Sequence, residues 1–253
     1  MADNEVVSSL DRMVPMQNLT DQLALHVTLT FAQSLDAKIA GRDGKQLILS
    51  CKESMIMTHR LRSRHDAILV GIGTALNDNP QLNTRLLAPD DGGQAVPLPV
   101  ILDSNLRFQL DSKLVNNYKI GKGRQPIVFT AFDHLGTDAQ FEERRRRLEA
   151  EGVKVIPINS LDGKLNLGSL LDELQKIGIR SLMVEGGATV ISSFLQSGLV
   201  HSLIVTVCPT IVGDEGIAYD VKGEVKGLTF LQTQLVGRDA VMVWSLPKRV
   251  TLD

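Results

Sequence analysis

Hydrophobic positions along the chain fall into short runs separated by segments with helical spacing. Residues 25–29 alternate within an apolar stretch and predict the first strand. Over 52–64, Met55, Ile56, His59 and Leu61 recur near helical spacing and lead into the run Ala67-Ile68-Leu69-Val70, which a glycine follows at once. A short, bulky, unalternating run of this kind predicts a strand buried on both faces, as in parallel sheet. The same pattern predicts strands over 99–102, 127–130, 153–156 and 181–184, with helices around 138–151 and 167–177 between the last three. A further helix is predicted over 189–196, with Gly198 in the usual stop position. Beyond it, 201–208 and 240–246 are apolar or alternating, loops fall at 213–216 and 222–227, and no helical run separates them. That part predicts antiparallel strands added to the same sheet.

Strands alternating with helices imply an α/β fold with a mostly parallel central sheet covered on both faces, closed by the antiparallel C-terminal strands. No repeat and no Pro/Ser-rich linker interrupts it, so one domain is expected over 23–246, with an N-terminal extension (1–22) and a C-terminal tail (247–253). The charged stretch 142–149 resembles a basic patch until it is wound as a helix. Glu142–Arg146, Glu143–Arg147, Arg145–Glu149 and Arg147–Glu151 then become i,i+4 pairs on a solvated face.

Composition removes several function classes. With 27 Lys+Arg against 29 Asp+Glu, the formal charge is −2, which offers no electrostatic footprint for nucleic acid. No apolar run reaches the ~18 residues of a membrane span. The first twenty residues mix acids, polars and a proline, unlike a signal peptide. Cys51 and Cys208 form no CxxC pair, and the five histidines make no metal-ligand spacing, so a cytoplasmic, metal-free protein is expected.

Candidate chemistry lies where strands end, because open α/β sheets bind ligands outside their carboxyl edge. Val70-Gly71-Ile72-Gly73-Thr74 follows a strand, but Leu76 breaks the full dinucleotide fingerprint. Val184-Glu185-Gly186-Gly187-Ala188-Thr189 runs from a strand through paired glycines into a helix. Such glycines allow close backbone approach, and a helix N-terminus offers free N–H groups to phosphate. The polar loop from Asp78 to Arg85 follows the first turn, while GxSxG and GxxxxGK[ST] motifs do not occur. These residues indicate a phosphate- or dinucleotide-binding α/β protein with Glu185 near the site.

Six ordered stretches carry a resemblance: Thr28–Ala40, His59-Arg60-Leu61-Arg62, Asp66–Thr74, Asp78–Arg85, Leu102-Asp103-Ser104 and Val184-Glu185-Gly186-Gly187. Together they resemble the riboflavin-pathway reductases, the family that includes the C-terminal half of the bacterial bifunctional deaminase–reductase. The wording Ala32-Gln33-Ser34-Leu35-Asp36-Ala37 and the N-terminal extension are similar to the family's stand-alone fungal form. The resemblance implies a dihydrofolate-reductase-like fold, a homodimer, NADPH as hydride donor and reduction of a phosphorylated ribosylamino-pyrimidine at the sugar C1′.

By position, the resemblance implies cofactor contacts at Thr74, Asp78, Ser104, Ile156, Gly186, Gly187, Ala188, Thr189 and Val190. It implies substrate contacts at Lys38, Arg62, Leu82, Arg85 and Glu185, with the three basic groups gathered around one phosphate. The family usually has glycine where this chain has Ala37. The lone Trp244 near the C-terminus and the substrate arginines speak against a dihydrofolate-type reductase on the same fold, and intact Asp78, Arg85 and Glu185 against a catalytically silent nucleotide-binding module. No sequence feature selects the residue that reads the cofactor's 2′-phosphate; Lys122 and Arg124 are the candidates.

Overall fold

A computed structural model describes residues 25–87, 96–134, 136, 138–161 and 163–246, so the expected extension 1–22 and tail 247–253 lie outside the described residues. In chain order the first elements are β1 (His26–Ser34), β2 (Lys38–Ala40), α1 (Lys52–Ser63), β3 (Ala67–Gly71), α2 (Ile72–Asp78) and β4 (Leu98–Leu102). Next come α3 (Lys113–Lys119), β5 (Ile127–Ala131), α4 (Ala139–Ala150), β6 (Lys154–Ile158), and a ribbon of β7 (Ser160–Leu161) and β8 (Lys164–Leu165). They are followed by α5 (Leu167–Lys176), β9 (Ser181–Gly186), α6 (Ala188–Ser197), β10 (Ser202–Cys208), β11 (Ile217–Ala218), β12 (Thr229–Val236) and β13 (Asp239–Ser245).

Strand β3 shows why the sheet needs helices on both sides. All five of its residues are buried. Successive side chains point to opposite faces, so Ile68 and Val70 enter one core while Ala67 and Leu69 enter the other. Met57, Leu61, Leu114, Phe141 and Leu148 of α1, α3 and α4 close the first core. Leu170, Leu174, Ile191 and Phe194 of α5 and α6 close the second. Asp138 caps α4 by accepting from the Gln140 and Phe141 amides, and Asn166 caps α5 through the Ser169 amide. On the α4 surface Arg145 pairs with Glu149, as expected, but Arg146 turns back to Glu143 at i,i+3, and Lys119 takes Glu151.

The nine-stranded sheet has the order β12-β13-β10-β1-β9-β3-β4-β5-β6. Every neighbouring pair from β10 to β6 is parallel, and β13 and β12 add the antiparallel portion. One detail differs from the sequence expectation for 201–208. Strand β10 runs parallel to β1, with Thr28 opposite Ser202 and Ser34 opposite Cys208, and is antiparallel only to β13. Helix α6 is the reason: it carries the chain back across the sheet, so β9, α6 and β10 form a crossover unit. Besides the short strands β2, β7, β8 and β11, three larger elements had no counterpart in the pattern. The stretch after β3 is the short helix α2 rather than an open turn; α3 is capped by Ser112; and β12 forms the sheet edge.

Candidate active site

Parallel strands bring their carboxyl ends to one edge, and there a cleft of about 700 Å³ opens between α2, α6 and the stretch 46–50. Gly71, at the end of β3, and Glu185, at the end of β9, both line it. So do Leu102 and Ser104, at and just beyond the end of β4.

The turn from β9 into α6 forms its floor. Gly186 and Gly187 have φ of 109° and 77°, a region that side chains with a Cβ enter at a cost. A Cβ on Gly187 would lie 3.0 Å from Thr74 Oγ1, and one on Gly71 would meet Val190 Cγ2 at 2.7 Å. A Cβ on Gly73 would meet nothing within 4 Å, so that glycine faces open cleft. Gly187 supplies no side-chain cap to α6. The first amides of the helix therefore remain free to donate to a ligand, with the positive end of the helix dipole behind them. Open glycines beside an uncapped helix start fit the diphosphate of a dinucleotide.

Beside the turn, charges are arranged around one carboxylate. Arg62 of α1 donates through Nε and Nη2 to the two oxygens of Glu185, both at 2.6 Å, and through Nη1 to the Asn83 carbonyl at 3.1 Å. Each side chain of the pair is only 13% exposed. Burial disfavours the guanidinium charge, but the charge and hydrogen bonds of Glu185 outweigh it and hold the Arg62 pKa above its ordinary value. His59, one helical turn earlier, is buried and sensitive to the same charges. Burial, then Arg62 and Arg85, push its pKa down to about 3, so the ring is neutral near pH 7. Arg85 donates to Asn83 Oδ1 at 3.1 Å; burial and then Arg62 lower its pKa, against the opposing pull of Glu185.

The positions singled out by sequence distribute as follows. Thr74, Asp78, Ser104, Glu185, Gly187, Ala188, Thr189 and Val190 all line the cleft, and Gly186 forms the turn beneath it. Burial raises the Asp78 carboxyl above its ordinary value. Arg62 and Arg85 converge beside Glu185. Lys38 stands on β2, its stem beside the Gly216 backbone, and its neighbours Ile39 and Ala40 reach the cleft. Two side chains point elsewhere: Leu82 is 2% exposed and sits in a hydrophobic core, and Ile156 packs against the second core from β6. Ala37, where the family usually has glycine, does adopt a left-handed φ of 58°. Asp36 fastens that turn by accepting from Ser34 Oγ and the Val212 and Gly213 amides, which hold its carboxyl down to about 2.

Lys122 and Arg124 are away from the cleft. Arg124 donates to the Asp66 carbonyl, before the start of β3 and at the opposite end of the sheet. The basic residues that do line the cleft are Arg107 and Lys164, which the sequence reading passed over, together with the apolar wall Leu47-Ile48-Leu49. The available signal for Arg107 was its place three residues after Ser104 in one turn.

The chain is similar to known proteins in both sequence and fold. The profile of the RibD C-terminal domain matches residues 25–242. The 2,5-diamino-6-ribosylamino-4(3H)-pyrimidinone 5′-phosphate reductase of Debaryomyces hansenii is 39% identical over 204 residues, covering 78% of this chain and 80% of its own. The reductase of the same name from Saccharomyces cerevisiae is 37% identical over 193 residues, covering 75% and 74%. Among solved structures, the riboflavin biosynthesis reductase Rib7 of Saccharomyces cerevisiae matches with a TM-score of 0.68 at 30% identity, over 89% of this chain and 91% of that one. RibD of Acinetobacter baumannii shares the fold, with a TM-score of 0.71 at 24% identity over 90% of this chain and 59% of its own.

Proposed function

The chain belongs to the RibD C-terminal domain family, and on that premise we propose that it is an NADPH-dependent reductase of riboflavin biosynthesis. Its substrate is 2,5-diamino-6-ribosylamino-4(3H)-pyrimidinone 5′-phosphate, reduced to the ribitylamino product; reductases of this name are 39% and 37% identical to it. The observation that carries the reading is an uncapped glycine turn that lines the cleft directly after Glu185, a cleft-lining carboxylate whose two oxygens are held by the buried Arg62.

The division of labour follows from those positions. The nicotinamide cofactor supplies the hydride that reaches the sugar C1′ of the ring-opened imine. Ala188, Thr189 and Val190 present their amides to its diphosphate, with Thr74, Asp78 and Ser104 along the same groove. Arg85 and Lys38 hold the 5′-phosphate of the substrate. Glu185 accepts from ribose hydroxyls, and Arg62 fixes both carboxylate oxygens so that they cannot swing. Leu47, Ile48 and Leu49 give one side of the cleft an apolar lining. Most of the rate advantage then lies in alignment, which suits a site without a nucleophile.

Family membership also supports a homodimer. The exposed Phe230 and Leu235 of edge strand β12 offer an apolar surface for a second copy. The two free thiols agree with a cytoplasmic setting, and no helix among the described residues is long and apolar enough to cross a membrane.

The test is loss of reduced-nicotinamide absorbance with the ribosylamino-pyrimidine phosphate, run in parallel with dihydrofolate. Turnover of the pyrimidine alone is expected. Tight NADPH binding without pyrimidine turnover would sink the assignment.

A further inference from the structure

The turn that leads into Lys38 is tied on two sides. Ser34 is buried, and its hydroxyl donates to Asp36 Oδ1 at 2.6 Å while accepting from the Lys38 amide at 2.9 Å. The Ala37 amide closes the turn on the Ser34 carbonyl at 3.0 Å. Asp36 then reaches the loop after β10, where Oδ1 accepts from the Val212 amide at 3.1 Å and Oδ2 from the Gly213 amide at 2.8 Å. One carboxylate thus joins segments 176 residues apart. The same hydrogen bonds hold its pKa down to about 2, so it stays charged, and the tie stays closed, at any pH near neutrality.

The tied loop is the surface on which the Lys38 stem rests. The Gly213 carbonyl accepts from the Gly216 amide at 3.1 Å, which turns the chain back toward β2. A Cβ on Gly216 would lie 2.8 Å from Lys38 Cγ and 2.7 Å from Val212 Cγ1, so both side chains pack over bare backbone. Strand β11 follows at once and pairs antiparallel with β2, placing Ala218 opposite Lys38 and Ile217 opposite Ala40. Ile39, Ala40 and Ile217 line the cleft, so this small ribbon forms part of its rim. Glu215, the acid beside Gly216, is taken by Arg42, and among the described residues no carboxylate pairs with the Lys38 ammonium. The stem is held while its charge is left for a ligand.

We propose that Asp36 is a positioning residue: it does not touch the substrate, but by joining the 34–38 turn to the 212–216 loop it aims Lys38 at the 5′-phosphate. The proposal rests on the reading of Lys38 as a phosphate contact given above.

The test measures kcat/KM for the ribosylamino-pyrimidine phosphate and for the same compound without its phosphate. It compares wild type, Lys38→Met, Asp36→Asn, the double variant and Gly216→Ala. An asparagine cannot accept through its nitrogen, so Asp36→Asn loses one side of the tie. Lys38→Met should lower kcat/KM for the phosphorylated substrate about ten- to a hundred-fold, the range for one charge-assisted hydrogen bond. Asp36→Asn should lower it about tenfold through misplacement of the lysine, and should add nothing further in the Lys38→Met background. Gly216→Ala keeps every hydrogen bond of Asp36 while displacing the stem, and should show the same selective loss even if Asp36→Asn folds poorly. None of these variants should change the NADPH Kd, or kcat/KM for the phosphate-free compound, by more than about twofold. Equal losses on both substrates, or a double variant worse than Lys38→Met by the full Asp36→Asn factor, would reduce Asp36 to a fold contact and overturn the proposal. Unchanged kcat/KM in Lys38→Met would remove Lys38 from the phosphate first, and the positioning role with it.

Discussion

Replacing Arg62 by alanine removes three hydrogen bonds and the only ion-pair partner that Glu185 has among the described residues. Both side chains are 13% exposed, so water can restore little of what is lost. Breaking a buried pair from one side costs about 3–5 kcal/mol, because the remaining charge is left desolvated and unpaired. With this residual exposure, about 3 kcal/mol is the working value, or roughly 6–12 °C in Tm for a chain of this size. Glu185→Leu strands the guanidinium instead and should cost a similar amount. The double variant Arg62→Ala/Glu185→Leu leaves no orphaned charge, so a double-mutant cycle should return a favourable coupling of about 2 kcal/mol. Urea unfolding at one fixed protein concentration supplies the four free energies and keeps any dimer contribution constant. A coupling within about 0.5 kcal/mol of zero would refute the reasoning, since distant independent sites add to that accuracy. Arg62→Ala also removes one of the charges that hold His59 down, so the His59 pKa should rise from about 3 in an NMR titration.

Three further outcomes follow from the same contacts. Gly187→Ala forces a Cβ to within 3.0 Å of Thr74 Oγ1 at φ 77°, and fluorescence titration should show NADPH affinity reduced by about tenfold or more for roughly 1–2 kcal/mol of strain. Ala37→Gly relieves a left-handed φ of 58° and should stabilise the fold by about 1 kcal/mol, read as a Tm higher by about 2–4 °C. His59 has a depressed pKa of about 3 against an ordinary 6.5, so the unfolded chain binds the extra proton; its contribution is complete above pH 6.5 and is lost as the pH falls toward 3. His59→Gln should therefore flatten the acid limb of the stability curve by up to about 1.4 kcal/mol per pH unit, measured by urea unfolding across that window.

The parts of the fold legible in the sequence were those whose signal is local. Strand β3 announced itself because a strand buried on both faces cannot alternate, and α6 because Gly198 ends it with φ 70°. Strand β12 left no burial signal, since as an edge strand it exposes Phe230, Leu231 and Leu235. The direction of β10 depends on a crossover helix rather than on its own residues, so its apolar pattern fitted either direction equally well.

The site divides along the same line. Gly186 and Gly187 were legible because a positive φ restricts which residues can occupy the turn, whereas Arg62 and Glu185 are 123 residues apart and nothing in either segment names the other. The sequence reading gathered Lys38, Arg62 and Arg85 around a phosphate as three free cations. In the fold Arg62 is already committed to Glu185, so under the proposed function Arg85 and Lys38 are the two cations left for the phosphate, and Arg62 is the residue that positions the carboxylate. Basic residues stand both in the turn after Ser104, at Arg107, and over 121–124, and the sequence analysis considered only the second group. Only the parallel sheet separates them, because it places the first at the carboxyl edge with the cleft and the second at the amino edge beside Asp66. A near-neutral net charge of −2 thus says little about the site, because topology decides which few cations reach the carboxyl edge.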